Sequence, residues 1–396
     1  MRVLIAGGGI GGLSAALCLL HHGHDVEIFE QAPELGEVGA GIQIPPNATK
    51  VFAALGIADL ISENAFRPES IEARMGESGL TLFEIPLAEH AEKVWGASYL
   101  HIHRADYVVA LRAALKQFPA HKLHLGCSVA AYEQTKDGVT AKLSVGKTIS
   151  GDVLIGADGI HSTIRTQMLG PDQPRFTGNV AWRAVVPMDR LGTDAPNPTA
   201  CAWMGRGKHA VTYRLRRGEL ANFVGVVERD GWTNEGWSEG GSKQEALADF
   251  DGWHPTVRRI IEQSDELFKW ALFDRAPLKY WVDGRVALLG DAAHPMLPFL
   301  AQGAAMAVED AWVLAVALSE AETDPTAALK AYQDQRKPRT SRIQAASKAN
   351  AKTFHKRTLA GRLGTYGPMW IAGRVAPKLV HQRMNYLYGH DVTRQT

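Results

Sequence analysis

VLIAGGGIGGLSAA, residues 3–16, is the stretch whose reading decides the fold. Its first four residues are apolar without alternation, the pattern of a parallel strand covered on both faces. The glycines form a turn, and residues 11–22 then read as a helix with Leu13, Ala16, Leu17 and Leu20 on one face. Gly7, Gly9 and Gly12 fall at the G-x-G-x-x-G spacing, with Gly11 in the same turn. Gly7 allows the tight turn, Gly9 lets the backbone approach a pyrophosphate, and Gly12 lets helix and strand pack closely. Free N–H groups at the helix start attract phosphate. VEIFE at 26–30 reads as the second strand and ends in Glu30, 23 residues after Gly7, where a carboxylate accepts the hydroxyls of a ribose. A glycine turn without a ligand would not account for strand, helix and acid all in register.

Two more segments repeat the pairing of glycine with acid: DVLIGADGIHSTIR at 152–165 and RVALLGDAAHPMLPFLAQGAAMAVEDA at 285–311. Asp158-Gly159 and Gly290-Asp291 each terminate an apolar run, so both belong at C-terminal strand ends, where open α/β sheets bind ligands. An NAD site needs only the first motif. Acids at two further strand ends suit a longer cofactor with a ribityl chain, and a helix beginning at Gly303 and Ala304 would aim its positive end at an electron-rich flavin ring. FAD is therefore the expected cofactor. Helix caps and tight turns explain either added motif alone, but poorly explain both.

The chain has 396 residues, enough for two domains. Its 43 Lys and Arg balance 42 Asp and Glu, which gives nucleic acid no electrostatic footprint. Cys18, Cys127 and Cys201 form no CxxC, so neither a disulfide framework nor a cysteine metal site is expected. With no apolar run of 18 and no leader-like start, the expectation is a cytoplasmic protein without a membrane partner and without metal. Residues 103–117 read as a helix, KLHLGC with VAAYEQTKDGVTAKLS as a hairpin turning at Asp137-Gly138, 153–158 as a strand, and Ser162 as a helix start. Residues 175–285 change texture, with short alternating segments, tryptophans, and two strands around Arg217-Gly218. The expected fold class is α/β: a Rossmann-like FAD-binding domain over 1–174, an inserted substrate domain on a mostly antiparallel sheet over 175–284, a return to the first domain over 285–353, and a helical tail over 354–396. The cationic helix at about 325–353 is read as a solvated face.

GGGIGG, GAGIQIPPNA at 39–48, HRADYV at 103–108, GADGIHSTIR at 156–165, GDAAHPMLPFLAQGA at 290–304 and YLYGHD at 386–391 together span nearly the whole chain. In combination they resemble the single-component, FAD-dependent aromatic hydroxylases of the para-hydroxybenzoate hydroxylase type, built on the glutathione-reductase kind of FAD domain. Salicylate and 3-hydroxybenzoate hydroxylases are the most similar members. The resemblance implies that Glu30 holds the adenosine ribose, that Arg104 touches the flavin side, and that Asp291 holds the ribityl–phosphate part. It also implies that Asp158-Gly159 serves FAD and a transient NADH or NADPH. The implied reaction uses O₂ and a small aromatic acid, passes through a flavin C4a-hydroperoxide, and leaves FAD non-covalently bound. A homodimer is a further expectation. With no Arg cluster near Asp158, NADH is the expected reductant.

Such chemistry needs a base beside a phenol, because a phenolate has nucleophilic ortho and para carbons. In KHAVTYRL, His209, Val211 and Tyr213 share one side of a strand. His209 and Tyr213 match the family's phenol-binding pair, with His209 the better base near neutrality. Pro295 and Pro298 stiffen the 290s loop; Pro298 resembles the proline whose carbonyl lies against the flavin, and Gln302 the polar residue that meets substrate or flavin edge. His294 is expected to be structural. Arg183, Arg206 and Arg214 are the carboxylate-binding candidates. Cys201, as in 6-hydroxynicotinate hydroxylases, keeps a hydroxypyridine acid open as substrate. A flavin epoxidase or halogenase and a non-enzymatic flavin or NAD module are alternatives; the first would want a Trp-rich channel and a lysine that GDAAHPMLPFLAQGA lacks, and the second leaves His209 and Tyr213 without a task.

Overall fold

The structure is a computed structural model describing residues 1–35, 40–231, 239–321 and 324–394; Gly39 of the GAGIQIPPNA motif and the tryptophans at 232 and 237 lie outside the described residues. Strand Arg2–Ala6 is buried from Val3 onward and lies inside a six-stranded sheet, in the order Val282–Asp283, Val286–Leu288, Val153–Gly156, Arg2–Ala6, Asp25–Phe29, His121–His124. All neighbours pair in parallel except the first two. Ala6 stands opposite Gly156, and Gly156 opposite Leu288. This register lines up the ends of the three strands, so Gly7, Ala157 and Leu289 leave the sheet side by side. The three distant motifs meet because parallel pairing forces them to.

The first turn is built as the glycine spacing requires. Gly7 has φ +104°, and a Cβ on Gly12 would lie 1.9 Å from the carbonyl oxygen of Gly7. Helix Ile10–His21 is buried on nearly every side, not on a single stripe, because it is wedged between the sheet and helices Arg104–Leu115 and Gly303–Glu320. One expected element moves: the run at 121–124 is not part of the hairpin but the parallel edge strand beside Asp25–Phe29. Its alternation reflects an edge with partial exposure, a pattern a hairpin strand would share. The hairpin itself, Val129–Gln134 with Val139–Leu143, joins Thr148–Gly151 in a separate three-stranded sheet.

A second, eight-stranded sheet runs in the order Glu239–Gly240, Phe268–Asp274, Arg175–Pro187, Leu220–Glu228, Lys208–Leu215, Ala200–Gly205, Ser70–Met75, Thr81–Pro86. It is antiparallel throughout except where Ala200–Gly205 meets Ser70–Met75. The sheet is therefore assembled from two separated stretches, and the 175–284 span names only the larger. Helices Lys243–Asp249 and Pro255–Gln263 cover its outer face with a core that includes Trp182, Phe223, Phe250 and Trp253. Among the described residues no helix is long and apolar enough to cross a membrane.

The long helix Pro325–Phe354 is not simply a solvated cationic face. Arg336 is 1% exposed and is gripped by Asp310 (Nε to Oδ1, 2.7 Å) and Glu309 (Nη1 to Oε2, 2.6 Å). Arg339 adds two bonds to Glu309, at 2.8 and 2.9 Å. Asp310 also meets His294 Nε2 at 2.5 Å and accepts from the Gly290 N–H at 3.2 Å. Burial alone would push both carboxyls up, but the facing cations outweigh it and hold both below their ordinary values. Their stabilisation is thus present above the ordinary carboxylate range and is lost as pH falls through the depressed folded values. Arg336→Met leaves two buried carboxylates short of their shared cation and should destabilise the chain by about 3–5 kcal/mol. Urea unfolding at neutral pH measures this, and a loss under about 1 kcal/mol would show that the cluster does not hold the fold.

Candidate active site

A cavity of about 1040 Å³ lies between the two sheets, reaching from Gly9 and Gly11 to the inner face of the eight-stranded sheet. Its first end is made by the three strand ends. At Gly9 an added Cβ would meet nothing within 4 Å, so the backbone here is open to a ligand. Glu30 accepts from the N–H groups of Gly8 (2.6 Å) and Ala32 (2.9 Å), which fixes its carboxylate at the mouth of the turn with acceptor capacity left for hydroxyls. Asp291 is enclosed by protein yet its side chain is exposed, because what it faces is the cavity; burial raises its pKa, partly offset by His294 and Arg104. Arg104 and Gly159 also line the cavity. Helix Gly303–Glu320 starts at the cavity wall, with Gly303 and Ala304 among the lining residues. A phosphate-bearing, hydroxylated cofactor fits this set: open glycine backbone, a helix N-terminus, the Asp291 carboxylate facing the cavity, and Glu30 held beside the glycine turn.

Asp158 behaves differently from the expectation. Its carboxylate accepts from Ser162 Oγ at 2.5 Å and from the Ile164 N–H at 3.1 Å, so it shapes the turn before helix Thr163–Leu169 and does not line the cavity. Short polar side chains favour such local bonds to nearby donors. Its neighbours Ala157 and Gly159 are the residues that reach the cavity.

The opposite wall is the strand Lys208–Leu215. His209, Val211 and Tyr213 all line the cavity, while Thr212 turns the other way to bond Trp203 Nε1 at 2.9 Å. Tyr213 is 4% exposed and its ring lies 4.7 Å from that of His101; burial pushes its hydroxyl pKa up. His209 is 2% exposed, packed on Phe299 and Phe354, and burial holds its pKa well below the ordinary histidine value. Of the three arginines named from the sequence, Arg183 alone lines the cavity. It stacks on Trp270 at 4.5 Å, and burial brings its guanidinium down to about 10, with Tyr213 opposing that shift. Arg214 donates both Nε and Nη2 to the Pro196 carbonyl, and Arg206 lies at a separate surface hollow. Cys201 packs in the outer core, not in the cavity wall, because it shares the phase of Trp203.

The 290s loop closes the site. Side chains of helix Pro325–Phe354 pin three of its carbonyls: Gln344 to Pro295 (2.8 Å), Ser347 to Leu297 (2.6 Å) and Asn350 to Phe299 (3.1 Å). Pro298 lines the cavity, and its carbonyl accepts from the Ala301 N–H at 3.1 Å in a tight turn. Gln302 is 1% exposed; its Oε1 accepts from Asn47 at 3.1 Å, while its Nε2 is buried with no hydrogen-bond partner among the described residues. His294 lies outside the lining, bound to Asp310. Asn47, which ties Gln302 to Glu309 (2.6 Å), carried no distinguishing signal in the sequence.

Residues 1–347 match the family model described as FAD binding domain. The chain is 37% identical over 400 residues to a 3-hydroxybenzoate 6-hydroxylase of Aquipseudomonas alcaligenes, covering 100% of this chain and 99% of that one. It is 38% identical over 353 residues to a 6-hydroxynicotinate 3-monooxygenase of Pseudomonas fluorescens, covering 88% and 91%. Among solved structures, Klebsiella pneumoniae HpxO complexed with FAD and uric acid superposes with a TM-score of 0.84 at 28% identity, covering 98% of this chain and 97% of that one.

Two glycine substitutions separate folding from cofactor binding. Gly9→Val has free space and should leave the stability of the flavin-free protein within about 0.5 kcal/mol, while weakening FAD by about tenfold or more, or 1.4 kcal/mol. Gly12→Ala collides with the Gly7 carbonyl and should cost about 1–3 kcal/mol even without flavin. Thermal unfolding of flavin-free protein and fluorimetric FAD titration distinguish them; equal FAD affinity in Gly9→Val would remove Gly9 from the cofactor site.

Proposed function

The chain belongs to the FAD-binding-domain family, and we propose that it is a flavin monooxygenase that hydroxylates a small phenolic aromatic acid, using NADH or NADPH as reductant and O₂ as oxygen source. The observation that carries this reading is one wall of the cavity. There His209, Tyr213 and Arg183 face the loop 297–304 from the inner side of a single sheet. That combination offers a base, a hydroxyl and a cation to one small ring carrying a phenol and a carboxylate. Relatives that act on 3-hydroxybenzoate and 6-hydroxynicotinate agree with this ligand class.

The turn at 7–12, Glu30, Arg104, Asp291, Gly303 and Ala304 are the residues that would hold FAD. When bound, the flavin would supply the redox chemistry, hydride acceptance from the nicotinamide and activation of O₂. The protein does the rest. Arg183, stacked and desolvated, pairs with the carboxylate and sets the ring's orientation. Neutral His209 accepts the phenol proton and so enriches the ring carbons. Tyr213, kept protonated by burial, donates to the resulting phenolate. Leu297, Phe299, Val224 and Val226 keep water from the reacting face. Gln302 forms part of the cavity wall at the flavin-side edge.

The test is NADH consumption, O₂ uptake and product analysis with 3-hydroxybenzoate, salicylate, 3-amino-4-hydroxybenzoate and 6-hydroxynicotinate. At least one should give hydroxylated product in proportion to NADH; NADH oxidation yielding only H₂O₂ across the panel would defeat the substrate class. His209→Gln should lower hydroxylation by about 10²–10⁴-fold with flavin content unchanged. Since burial lowers the pKa of His209, the base stays neutral, and the acid limb of wild-type activity should lie below the ordinary histidine value of about 6.5. An acid limb at or above that value would contradict His209 as the base.

Arg183→Met should raise KM for the acid by about ten- to a hundredfold, the loss of a charge-assisted bond of about 1.5–3 kcal/mol. The change should be small for the corresponding phenol without a carboxylate. Equal effects on both ligands would reassign Arg183 to packing.

A further inference from the structure

His209 is not an isolated ring. Its Nδ1 lies 2.6 Å from Nε2 of His355, and His355 Nδ1 lies 3.1 Å from Glu228 Oε1. Glu228 is bonded in turn by Arg357, which is largely exposed. His355 is nearly buried, with a side chain 2% exposed, and Glu228 opens to the surface at 26%. The far end is a separate hollow of about 400 Å³, lined by Arg206, Lys208, Arg229, Asp249 and Arg357 beside Glu228. Between cavity and hollow the rings of Phe299 and Phe354 flank His209, and its Nδ1 has no other hydrogen-bond partner among the described residues.

The hydrogen bonds dictate the tautomers. A carboxylate only accepts, so His355 carries its proton on Nδ1 and presents a bare Nε2. That nitrogen can only accept, so His209 donates from Nδ1. The remaining nitrogen of His209, Nε2, is then an unprotonated acceptor on a residue that lines the cavity. A base oriented this way is set by groups about 3 Å and two residues away, in the manner of other carboxylate–histidine pairs.

We propose that His355 and Glu228 form, with His209, a proton wire that carries the substrate's phenolic proton from the cavity to the surface hollow. It rests on the phenol-ionising reading of His209 given above. The steps balance. The phenol O–H bond breaks and its proton goes to His209 Nε2; the proton on His209 Nδ1 moves to His355 Nε2; the proton on His355 Nδ1 moves to Glu228 Oε1 and then to solvent. The substrate is left as phenolate and one proton has left the protein. Both imidazoles end with their tautomers exchanged, and the same path run backwards reprotonates the product phenolate and resets them. Burial disfavours charge on both rings, so the proton is passed on, not stored; Glu228 favours the charged form of His355 while Arg357 opposes it. His355 and Glu228 act through His209 and are positioning and relay residues, since neither lines the cavity.

The experiment mixes the FAD-loaded enzyme with 3-hydroxybenzoate, salicylate or 6-hydroxynicotinate and follows two signals: the ultraviolet band of the ionised ligand and proton release to an indicator dye. His355→Gln preserves a polar side chain but cannot pass a proton onward. It should slow ionisation and release by at least about tenfold and make both depend on buffer concentration. Flavin content and melting temperature should stay at wild-type values, and imidazole added to His355→Ala should restore the rate. Glu228→Gln should move the pH profile of release. Release in His355→Gln that matches wild type in rate and buffer independence sinks the wire while leaving His209 as base. A wild type that ionises none of the three acids sinks the functional reading and the wire's task together. A third arm needs no ligand: the shared imidazole proton should give a downfield N–H signal in wild-type protein that disappears in both His209→Gln and His355→Gln, and its absence from wild type would refute the paired geometry.

Discussion

The clamp of Arg336 between Glu309 and Asp310 is the constraint on which the active-site geometry depends. It joins two helices, Gly303–Glu320 and Pro325–Phe354, at a fully buried point. From Glu309 the connection passes through Asn47 to Gln302, and from Asp310 through His294 and the Gly290 N–H to the end of the third strand. Tyr332 adds a bond to the Leu288 carbonyl in that same strand. One ionic cluster thus fixes the start of the cofactor-facing helix, the strand end that carries Asp291, and Gln302 in the cavity wall. Buried ion pairs contribute little net stability but are costly to break, so their use here is best understood as fixing position. The loop they anchor has few bonds of its own and borrows the rest from Gln344, Ser347 and Asn350.

On this frame the cavity divides its chemistry between two walls. The parallel sheet supplies backbone N–H groups, a helix N-terminus and carboxylates, all suited to an anionic, hydroxylated cofactor. The antiparallel sheet supplies titratable and cationic side chains suited to a small ring. Neither wall could do the other's work. A parallel strand buried on both faces ends in backbone, whereas an antiparallel strand with one face toward a cavity presents every second side chain.

That division also explains how much was legible in the chain. The cofactor wall could be read because its signals are local: GGGIGG, GADG and GDAAHP each sit within a few residues of an apolar strand. The side of the strand carrying His209, Val211 and Tyr213 could be read by period two. What escaped was set by tertiary pairing. Period two turns Arg214 away from the side of Tyr213, but Arg183 lies in a run of alternating residues with no mark to separate it from Arg206; only the register against Phe268–Asp274 brings it over Trp270. Ser70–Met75 and Thr81–Pro86 cross into the second sheet, a long-range choice that no neighbouring residue announces. His355 sits where the long helix ends, among Lys and Arg that read as surface. Asp158 carries the right residue type in the right motif, yet its own turn takes up its carboxylate.

The alternation of the second sheet has a final consequence for specificity. Along Lys208–Leu215 the cavity side holds His209, Val211 and Tyr213, while the intervening residues are tied elsewhere: Ala210 in the outer core, Thr212 to Trp203, Arg214 to Pro196. The neighbouring strands contribute to the same cavity face with Val224 and Val226, Ala202 and Met204, Ile71 and Ala73. These side chains are apolar; Ile71 packs against the core of the parallel-sheet domain, and Val224 and Val226 pack with Trp270, Leu297 and Phe299. Changes of volume at those positions reshape the space around the ring, and at Val224 and Val226 they also reach Trp270, which carries Arg183, and Phe299 of the 290s loop. A scaffold arranged this way gives the two demands on the enzyme to different side chains: reaction chemistry resides in a few polar groups fixed by buried bonds, and substrate choice resides in the packing between them.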